Sequence, residues 1–234
     1  MLLDQTRPGD GGRVAMLTRN PALNRVLVAI LEEWHYHPVA SAAECDILLI
    51  ERGLTLPAGV PRTLWLTPMP LGVEPHLELP FSLIDLYHYL EPLFFGAPRR
   101  HIRLAINQPV DLNVRGVWLV GRLLSLSDRG ARIACPATLP KGESVILDFK
   151  VGGYPLRTVA EVLYDVPAGD SPGREQPQAG LMLNSFKPVQ REALRRFIAR
   201  SYVEQACART GVDINDPGLS WIDLAKNPWG ELAD

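Results

Sequence analysis

Three arginines and a histidine lie within five positions of the chain, at Arg99, Arg100, His101 and Arg103. A guanidinium group is planar and always charged, and its paired N–H donors fit a phosphate or the O6/N7 edge of guanine. Because the segment lies between an apolar run and a strand-like run, several guanidinium groups beside a rigid strand could enclose an anion. A solvated basic linker is the alternative interpretation of the same residues.

The charge around these arginines differs from that of the whole chain. Residues 96–134 carry seven arginines against two aspartates, whereas the 234-residue chain has a formal net charge of −2. Such a local excess predicts a positive face that attracts anionic ligands.

The composition is that of an ordinary globular protein, with 47% hydrophobic and 21% charged residues. This length and composition fit one large domain or two small ones. We find no membrane-length apolar run and no signal-peptide pattern, so we expect a cytoplasmic protein without a membrane partner. The three cysteines, Cys45, Cys135 and Cys207, are far apart and have no nearby histidine pairs, which predicts structural thiols and no metal site or cofactor.

Residues 13–95 alternate between strand-like and helical patterns, after a tail of turn formers at 1–12 that we expect to be flexible. Continuous apolar runs predict parallel strands covered on both faces, at 13–18, 46–50 and 62–67. The spaces between the later runs are too short for full helices. The pattern therefore predicts a small parallel α/β domain.

Two helices are predicted within this domain from their boundary residues. Asn20 followed by Pro21 is typical of an N-cap and a first helical position, and the apolar periodicity of this helix ends near Trp34. Ser82 is a candidate N-cap for a second helix, which should stop near Pro92.

From residue 100 onward the apolar period becomes that of short strands separated by glycine or proline. The predicted strands are 118–127, 130–137, 144–150, 156–166 and 180–186. This arrangement is typical of an antiparallel barrel or sandwich. A loop at 167–178 should be mobile, and a helix beginning at Pro188 should turn its arginines, at positions 191, 195, 196 and 200, toward solvent.

The motif Arg99-x-x-x-Arg103 followed by Ser125-x-Ser127-x-x-Gly130 resembles the bipartite signature of PilZ domains, which bind cyclic di-GMP. The resemblance covers roughly residues 98–207, including the strand order and the closing helix. It implies that Arg99 and Arg103 bind phosphates and guanine edges, with Arg100 as an added donor. It also implies that Ser127 and Gly130 hold the other side of a guanine.

One motif position departs from the family, which usually has Asp or Asn where this chain has Ser125. Losing one such hydrogen bond costs about 1–3 kcal/mol, or roughly a tenfold to hundredfold loss of affinity. Asp128 follows the motif serine and is therefore no direct replacement. We regard Asp128 and His101 as accessory ligand contacts.

The first half of the chain resembles the receiver domains of response regulators, with their chemistry missing. Such domains need acidic residues after the first strand, where this chain has Thr18, Arg19 and Asn20. In receiver domains the phosphoacceptor follows a leading aspartate by five positions, and counting from Asp46 gives Glu51. Thr67 fits the hydroxyl position, but Leu79 replaces the usual lysine before Pro80. We therefore expect an interaction platform that accepts no phosphoryl group; any other small α/β domain is the alternative.

These features predict a two-domain α+β chain. Residues 13–95 form a degenerate receiver-like α/β domain, 96–207 an antiparallel PilZ-type β-barrel with its closing helix, and 208–234 a C-terminal extension. The PilZ resemblance implies a bacterial, non-enzymatic cyclic di-GMP effector, with a protein partner on its receiver-like domain and no DNA partner. Regulation of motility, pili or exopolysaccharide fits that family. Two alternatives remain: an adaptor that binds no nucleotide, and a single-stranded nucleic-acid-binding barrel, for which residues 97–134 offer only Trp118 as a stacking platform.

Overall fold

The computed structural model describes residues 11–169, 175–224 and 228–229. Most of the predicted tail, 1–12, and the centre of the predicted mobile loop, 167–178, lie outside these residues. The chain divides into two compact units. The first comprises the described residues up to Arg100 together with Ala199–Leu224, and the second comprises His101–Ile198 with the described residues after Leu224.

The first unit contains a five-stranded, wholly parallel sheet in the order β2-β1-β3-β4-β5. Its strands are β1 (Arg13–Leu17), β2 (His37–Val39), β3 (Ile47–Glu51), β4 (Thr63–Thr67) and β5 (His76–Glu78). This is the strand order of flavodoxin-like sheets. The predicted parallel α/β architecture is therefore confirmed, with β2 as an additional edge strand.

Helix α1 (Pro21–Glu33) follows β1 and begins and ends where the sequence predicts. The Asn20 side chain caps it by accepting a hydrogen bond from the Leu23 N–H at 3.0 Å. Trp34 is its C-cap residue. Both ends are thus determined by local residues.

Helix α2 (Leu83–Phe94) follows β5 and is capped by Ser82, whose hydroxyl accepts from the Ile84 N–H at 3.1 Å. It continues two residues beyond the predicted stop at Pro92. Pro92 supplies no N–H donor, but the hydrogen bonding resumes after it, since the Phe95 N–H donates to the Glu91 carbonyl at 3.0 Å.

The last helix, α3 (Pro188–Thr210), contributes its second half to the first unit. Tyr202 packs edge-on against Trp34, with ring centroids 5.8 Å apart. Arg209 forms an ion pair with Glu33 at 3.3 Å. This half of α3 therefore packs on α1, a contact that sequence periodicity did not predict.

A short 3-10 helix, Pro217–Trp221, also belongs to the first unit. The Gly218 carbonyl accepts a hydrogen bond from the Asn20 side chain at 2.7 Å. Directly after this helix, Ile222 forms a parallel bridge with Phe81. The segment after α3 is thus an integral part of the α/β unit.

The second unit is a closed six-stranded barrel in the order β10-β11-β8-β7-β6-β9, with every pair antiparallel. Its strands are β6 (Leu104–Val114), β7 (Val117–Leu126), β8 (Gly130–Ala134), β9 (Ser144–Val151), β10 (Tyr154–Val166) and β11 (Gln178–Leu183). The predicted antiparallel barrel is confirmed, and the sandwich alternative is wrong. The first half of α3 also lies in this unit.

Trp229, in the C-terminal extension, packs within the barrel unit. Its ring stacks on Tyr154 with centroids 5.0 Å apart and lies 5.7 Å from the Phe197 ring of α3. In the part of the chain that the structure describes, no helix combines the length and apolarity needed to span a membrane.

Candidate functional site

Pairing of β6 with β7 determines where the two parts of the predicted motif lie. Leu104, the first residue of β6, pairs with Leu126, the last residue of β7. Arg103 directly precedes β6, and Ser127 directly follows β7. The end of the first motif and the start of the second therefore meet at one end of this strand pair.

The second motif forms a tight turn between β7 and β8 that is held by Ser127. The Ser127 hydroxyl accepts from the Gly130 N–H at 2.9 Å and donates to the Gly130 carbonyl at 3.2 Å. The Ser127 N–H also donates to that carbonyl at 2.8 Å. Because Ser127 is 4% exposed, the structure assigns its hydroxyl to the turn itself, a role that spacing did not reveal.

Position 130 needs a glycine because the backbone of a neighbouring strand lies close to it. A Cβ atom at this position would lie 2.8 Å from the carbonyl oxygen of Leu181 on β11. A backbone atom cannot move away as the end of a flexible side chain can. The glycine therefore lets β11 approach the turn.

Asp128, inside the same turn, connects residues 99–103, here called the arginine segment, to α3. Its carboxylate accepts from His101 Nδ1 at 2.7 Å and from Arg195 Nε at 2.7 Å. Asp128 is 3% exposed, so its carboxylate lies in a low-dielectric environment that strengthens charge interactions, while the side chains of both donors remain partly exposed. This network anchors His101, two residues before Arg103, to the second motif.

The protonation properties of the network follow from its burial. Burial lowers the pKa of His101, while the Asp128 carboxylate acts in the opposite direction. Desolvation also acts to lower the pKa of Arg195, but the hydrogen bond and charge of Asp128 outweigh it and the pKa is raised. Arg195 is thus the cation that balances the buried carboxylate.

The prediction that the arginines of α3 simply face solvent is wrong for Arg195. Arg191 also bonds inward, donating from Nε to the Phe186 carbonyl at 3.2 Å. Helical spacing does not distinguish Arg195 from its neighbours. The one available signal is Asp128, the single carboxylate between residues 112 and 142, which needs a partner if it is buried.

The first part of the arginine segment is tied to α2. The Arg99 N–H donates to the Glu91 carboxylate at 3.0 Å, and His88 Nε2 donates to the Arg100 carbonyl at 2.9 Å. Glu91 is 1% exposed. α2 therefore holds Arg99 and Arg100, and Asp128 holds His101.

The guanidinium-bearing residues differ in exposure. Arg100 and Arg103 are exposed and Arg99 is half-buried. Ser125, half-buried on β7, pairs across the sheet with Ala105 on β6 and with Arg132 on β8. The position where PilZ domains usually carry a carboxylate or amide is thus flanked by an arginine.

At the carboxyl edge of the parallel sheet, Glu51 pairs with Arg19. Its carboxylate accepts from the Arg19 backbone N–H at 2.7 Å and lies 4.0 Å from the Arg19 guanidinium. The Thr67 hydroxyl, at the predicted hydroxyl position, donates to the Met69 carbonyl at 2.8 Å. An arginine therefore occupies the neighbourhood of Glu51 where a receiver domain would need acidic metal ligands.

The described residues contain no group of three or more His, Cys, Asp or Glu side chains arranged to hold a metal ion. The thiols of Cys45, Cys135 and Cys207 are buried, and this burial raises the pKa of each.

The second unit is thus a small closed antiparallel barrel in which an arginine segment directly precedes the first strand and a Ser-x-x-Gly turn follows the second. The PilZ domain family model matches residues 97–200, which contain both parts of the motif. The match confirms the predicted resemblance to PilZ domains over these residues.

Similar folds occur in solved structures at low identity. Escherichia coli YcgR in complex with c-di-GMP is 17% identical, with 51% of this chain and 52% of that chain covered and a TM-score of 0.42. The Bacillus subtilis inhibitor of motility MotI/DgrA is 16% identical, with 46% and 52% covered and a TM-score of 0.39. The isolated PilZ domain of YcgR with c-di-GMP is 19% identical, with 48% and 97% covered and a TM-score of 0.37.

The matched region thus spans about half the length of the YcgR and MotI/DgrA chains. No curated protein sequence matches this chain.

Proposed function

We propose that this protein is a cyclic di-GMP receptor without catalytic activity of its own. Arg99, Arg100 and Arg103 would bind the phosphates and guanine edges, and the turn from Ser125 to Gly130 would hold the other side of a guanine. The observation that supports this most directly is that both motifs lie within the residues matched by the PilZ domain family model and that the β6–β7 pairing joins them at one end.

The chemistry of the segment supports an anionic ligand. Arg100 and Arg103 are exposed at the edge of a barrel, and a dianionic dinucleotide offers phosphate oxygens for paired guanidinium donors. Glu91 and His88 hold the backbone of the segment, and Asp128 holds its His101 side chain. Fewer conformations must then be lost on binding, which favours affinity.

We further propose that ligand binding changes the arrangement of the two units and thereby a protein interaction. The boundary between the compact units falls inside the first motif, between Arg100 and His101. A ligand bound by both Arg99 and Arg103 restricts the chain on both sides of this boundary. Ligand binding and domain arrangement are then energetically coupled. The α/β unit, with an arginine beside Glu51, would serve as the surface for the partner.

The test is titration calorimetry with cyclic di-GMP, GTP and a single-stranded DNA oligonucleotide. We expect binding of cyclic di-GMP and its loss in Arg99→Ala and Arg103→Ala, each of which removes a charge-assisted contact worth about 1.5–3 kcal/mol. Arg100→Ala should weaken binding less. Arg115→Ala is the matched control, because Arg115 lies at the opposite end of β6 and β7, about 30 Å along the strands.

Each alternative has a distinct result in this experiment. Ser125 favours the interpretation as an adaptor that binds no nucleotide. Such an adaptor would show no heat of binding with cyclic di-GMP, GTP or the oligonucleotide. A nucleic-acid-binding barrel would bind the oligonucleotide in preference to cyclic di-GMP. Wild-type affinity in both motif alanine variants would show that cyclic di-GMP binds elsewhere.

A further inference from the structure

Five neighbouring strands of the barrel place one residue each in a single row across the sheet. Ala105 on β6 pairs with Ser125 on β7, and Ser125 pairs with Arg132 on β8. Arg132 pairs in turn with Gly180 on β11, and Gly180 with Tyr164 on β10. The row includes the motif position Ser125 and extends from it, beyond the motif, over three more strands.

The side chain of Arg132 lies on the outer side of the barrel. Its neighbours Ala131 and Ile133 are 8% and 0% exposed, and they fill the core. The Arg132 Nε atom is buried and has no hydrogen-bond partner among the residues that the structure describes. Because buried polar groups in native proteins are almost always paired, this unpaired guanidinium nitrogen next to the motif position Ser125 needs an explanation, and a ligand that pairs with the Arg132 guanidinium would supply one.

Tyr164 provides a flat aromatic surface in the same row. Its side chain is 45% exposed, and the far end of its ring lies over Gly180. A Cβ atom at Gly180 would be 2.2 Å from Cε1 and 2.3 Å from Cζ of the ring. Only a glycine at this position lets the tyrosine ring extend from β10 across β11, toward the strand that carries Arg132.

We propose that Arg132 and Tyr164 form a guanine subsite that extends the motif past Ser125, an inference that rests on the proposed function. The guanidinium donates two hydrogen bonds to O6 and N7 of the base, and the tyrosine ring stacks on the base plane. Ser125, which pairs with Arg132, has a short side chain.

This arrangement makes the subsite specific for guanine. Adenine carries an amino donor where guanine has the O6 acceptor, so two donors would face each other in an adenine complex. The subsite therefore supplies the base discrimination that a carboxylate or amide at Ser125 would otherwise supply.

The experiment compares the affinity of the full chain for cyclic di-GMP and for cyclic di-AMP by calorimetry. Arg132→Ala should weaken cyclic di-GMP binding about tenfold to a hundredfold while leaving cyclic di-AMP binding nearly unchanged, so that selectivity falls. Arg132→Lys keeps the charge but not the paired donors, and it should lose selectivity too. Tyr164→Ala should weaken binding about tenfold, and Tyr164→Phe should recover most of that loss.

Arg157→Ala is the matched control, because Arg157 lies on β10 seven residues before Tyr164 and contacts Trp118. Melting curves of every variant identify any that fail to fold. If the wild-type protein binds cyclic di-GMP and both Arg132→Ala and Arg132→Lys retain the wild-type affinity and selectivity, this inference is wrong and the proposed function stands. Wild-type protein that binds no cyclic di-GMP would overturn the proposed function and this inference with it.

Discussion

Replacing Asp128 by alanine should lower both the stability of the barrel and its affinity for the ligand, although Asp128 occupies one of the x positions in the Ser125-x-Ser127-x-x-Gly130 motif. The variant removes a carboxylate that accepts two hydrogen bonds of 2.7 Å, from His101 and from Arg195. It therefore detaches α3 and the arginine segment from the turn in one step.

The loss of stability follows from the exposure of the three side chains. The Asp128 side chain is 4% exposed, whereas those of His101 and Arg195 are 34% and 37% exposed. Buried hydrogen bonds to charged groups are worth about 1.5–3 kcal/mol each. Partial solvation of both donors reduces this to about 1 kcal/mol per bond. The total of about 2 kcal/mol lowers the melting temperature of a protein of this size by about 4–8 °C.

The loss of affinity follows from the position of His101 in the arginine segment. Without its bond to Asp128, the backbone before Arg103 gains freedom that the ligand must remove, at about 1–2 kcal/mol per residue. Cyclic di-GMP should then bind roughly tenfold more weakly. Differential scanning fluorimetry and calorimetry on the same preparations measure the two effects together.

Asp128→Asn and Glu143→Ala serve as comparisons. The amide keeps one acceptor oxygen and should lose about half as much stability. Glu143→Ala removes a carboxylate paired with Arg115 at the far end of the strands, so it should leave affinity unchanged. A melting temperature of Asp128→Ala within 1 °C of wild type would refute the energetic reasoning. Reduced stability with unchanged affinity would refute the positioning role.

Three further expectations concern the motif, the α/β unit and the segment between the units. Ser125→Asn should tighten cyclic di-GMP binding about tenfold by restoring an amide at that position; unchanged or weaker affinity in calorimetry would show that Ser125 does not face the base. Beryllofluoride or acetyl phosphate with Mg²⁺ should leave ligand affinity unchanged, because Glu51 is paired with Arg19, and a phosphate mass shift located by mass spectrometry in residues 13–95 would contradict this. Amide hydrogen exchange should slow in residues 96–104 and 125–130 when cyclic di-GMP is added, and protection confined to 125–130 would exclude a change in domain arrangement.

Local signals in the sequence predicted most of the elements of this fold. Asn20 and Ser82 are capping residues whose side chains accept from the first turns of α1 and α2, so the starts of both helices could be read from one residue each. The strand-like run after the arginines was predicted without bounds, and the structure gives it as β6 (Leu104–Val114). The return of the chain after Ala199 to the α/β unit was missed, since it depends on tertiary contacts.

The candidate site was predictable only where its residues are close in sequence. The spacing from Arg99 to Arg103 and from Ser125 to Gly130 identified two segments, but it could not assign the Ser127 hydroxyl to its own turn. Arg195 lies 67 positions after Asp128, and no local pattern connects residues so far apart. Glu91 was missed for a related reason, because a buried carboxylate on an apolar helix face has no partner visible in its own helix.

The two halves of the motif differ in what determines their geometry, and this has a consequence for affinity. The turn from Ser127 to Gly130 is held by its own hydrogen bonds and by the approach of β11, so its shape depends little on residues elsewhere. The arginine segment is held by Asp128, Glu91 and His88, which contact it from three places in the chain. A substitution of any of these partners changes the fraction of molecules in which the arginine segment has the binding-competent conformation, although it removes no ligand contact. The apparent affinity changes in proportion to that fraction. We therefore expect substitutions of these partners to change how tightly the ligand is held while leaving its base preference unchanged.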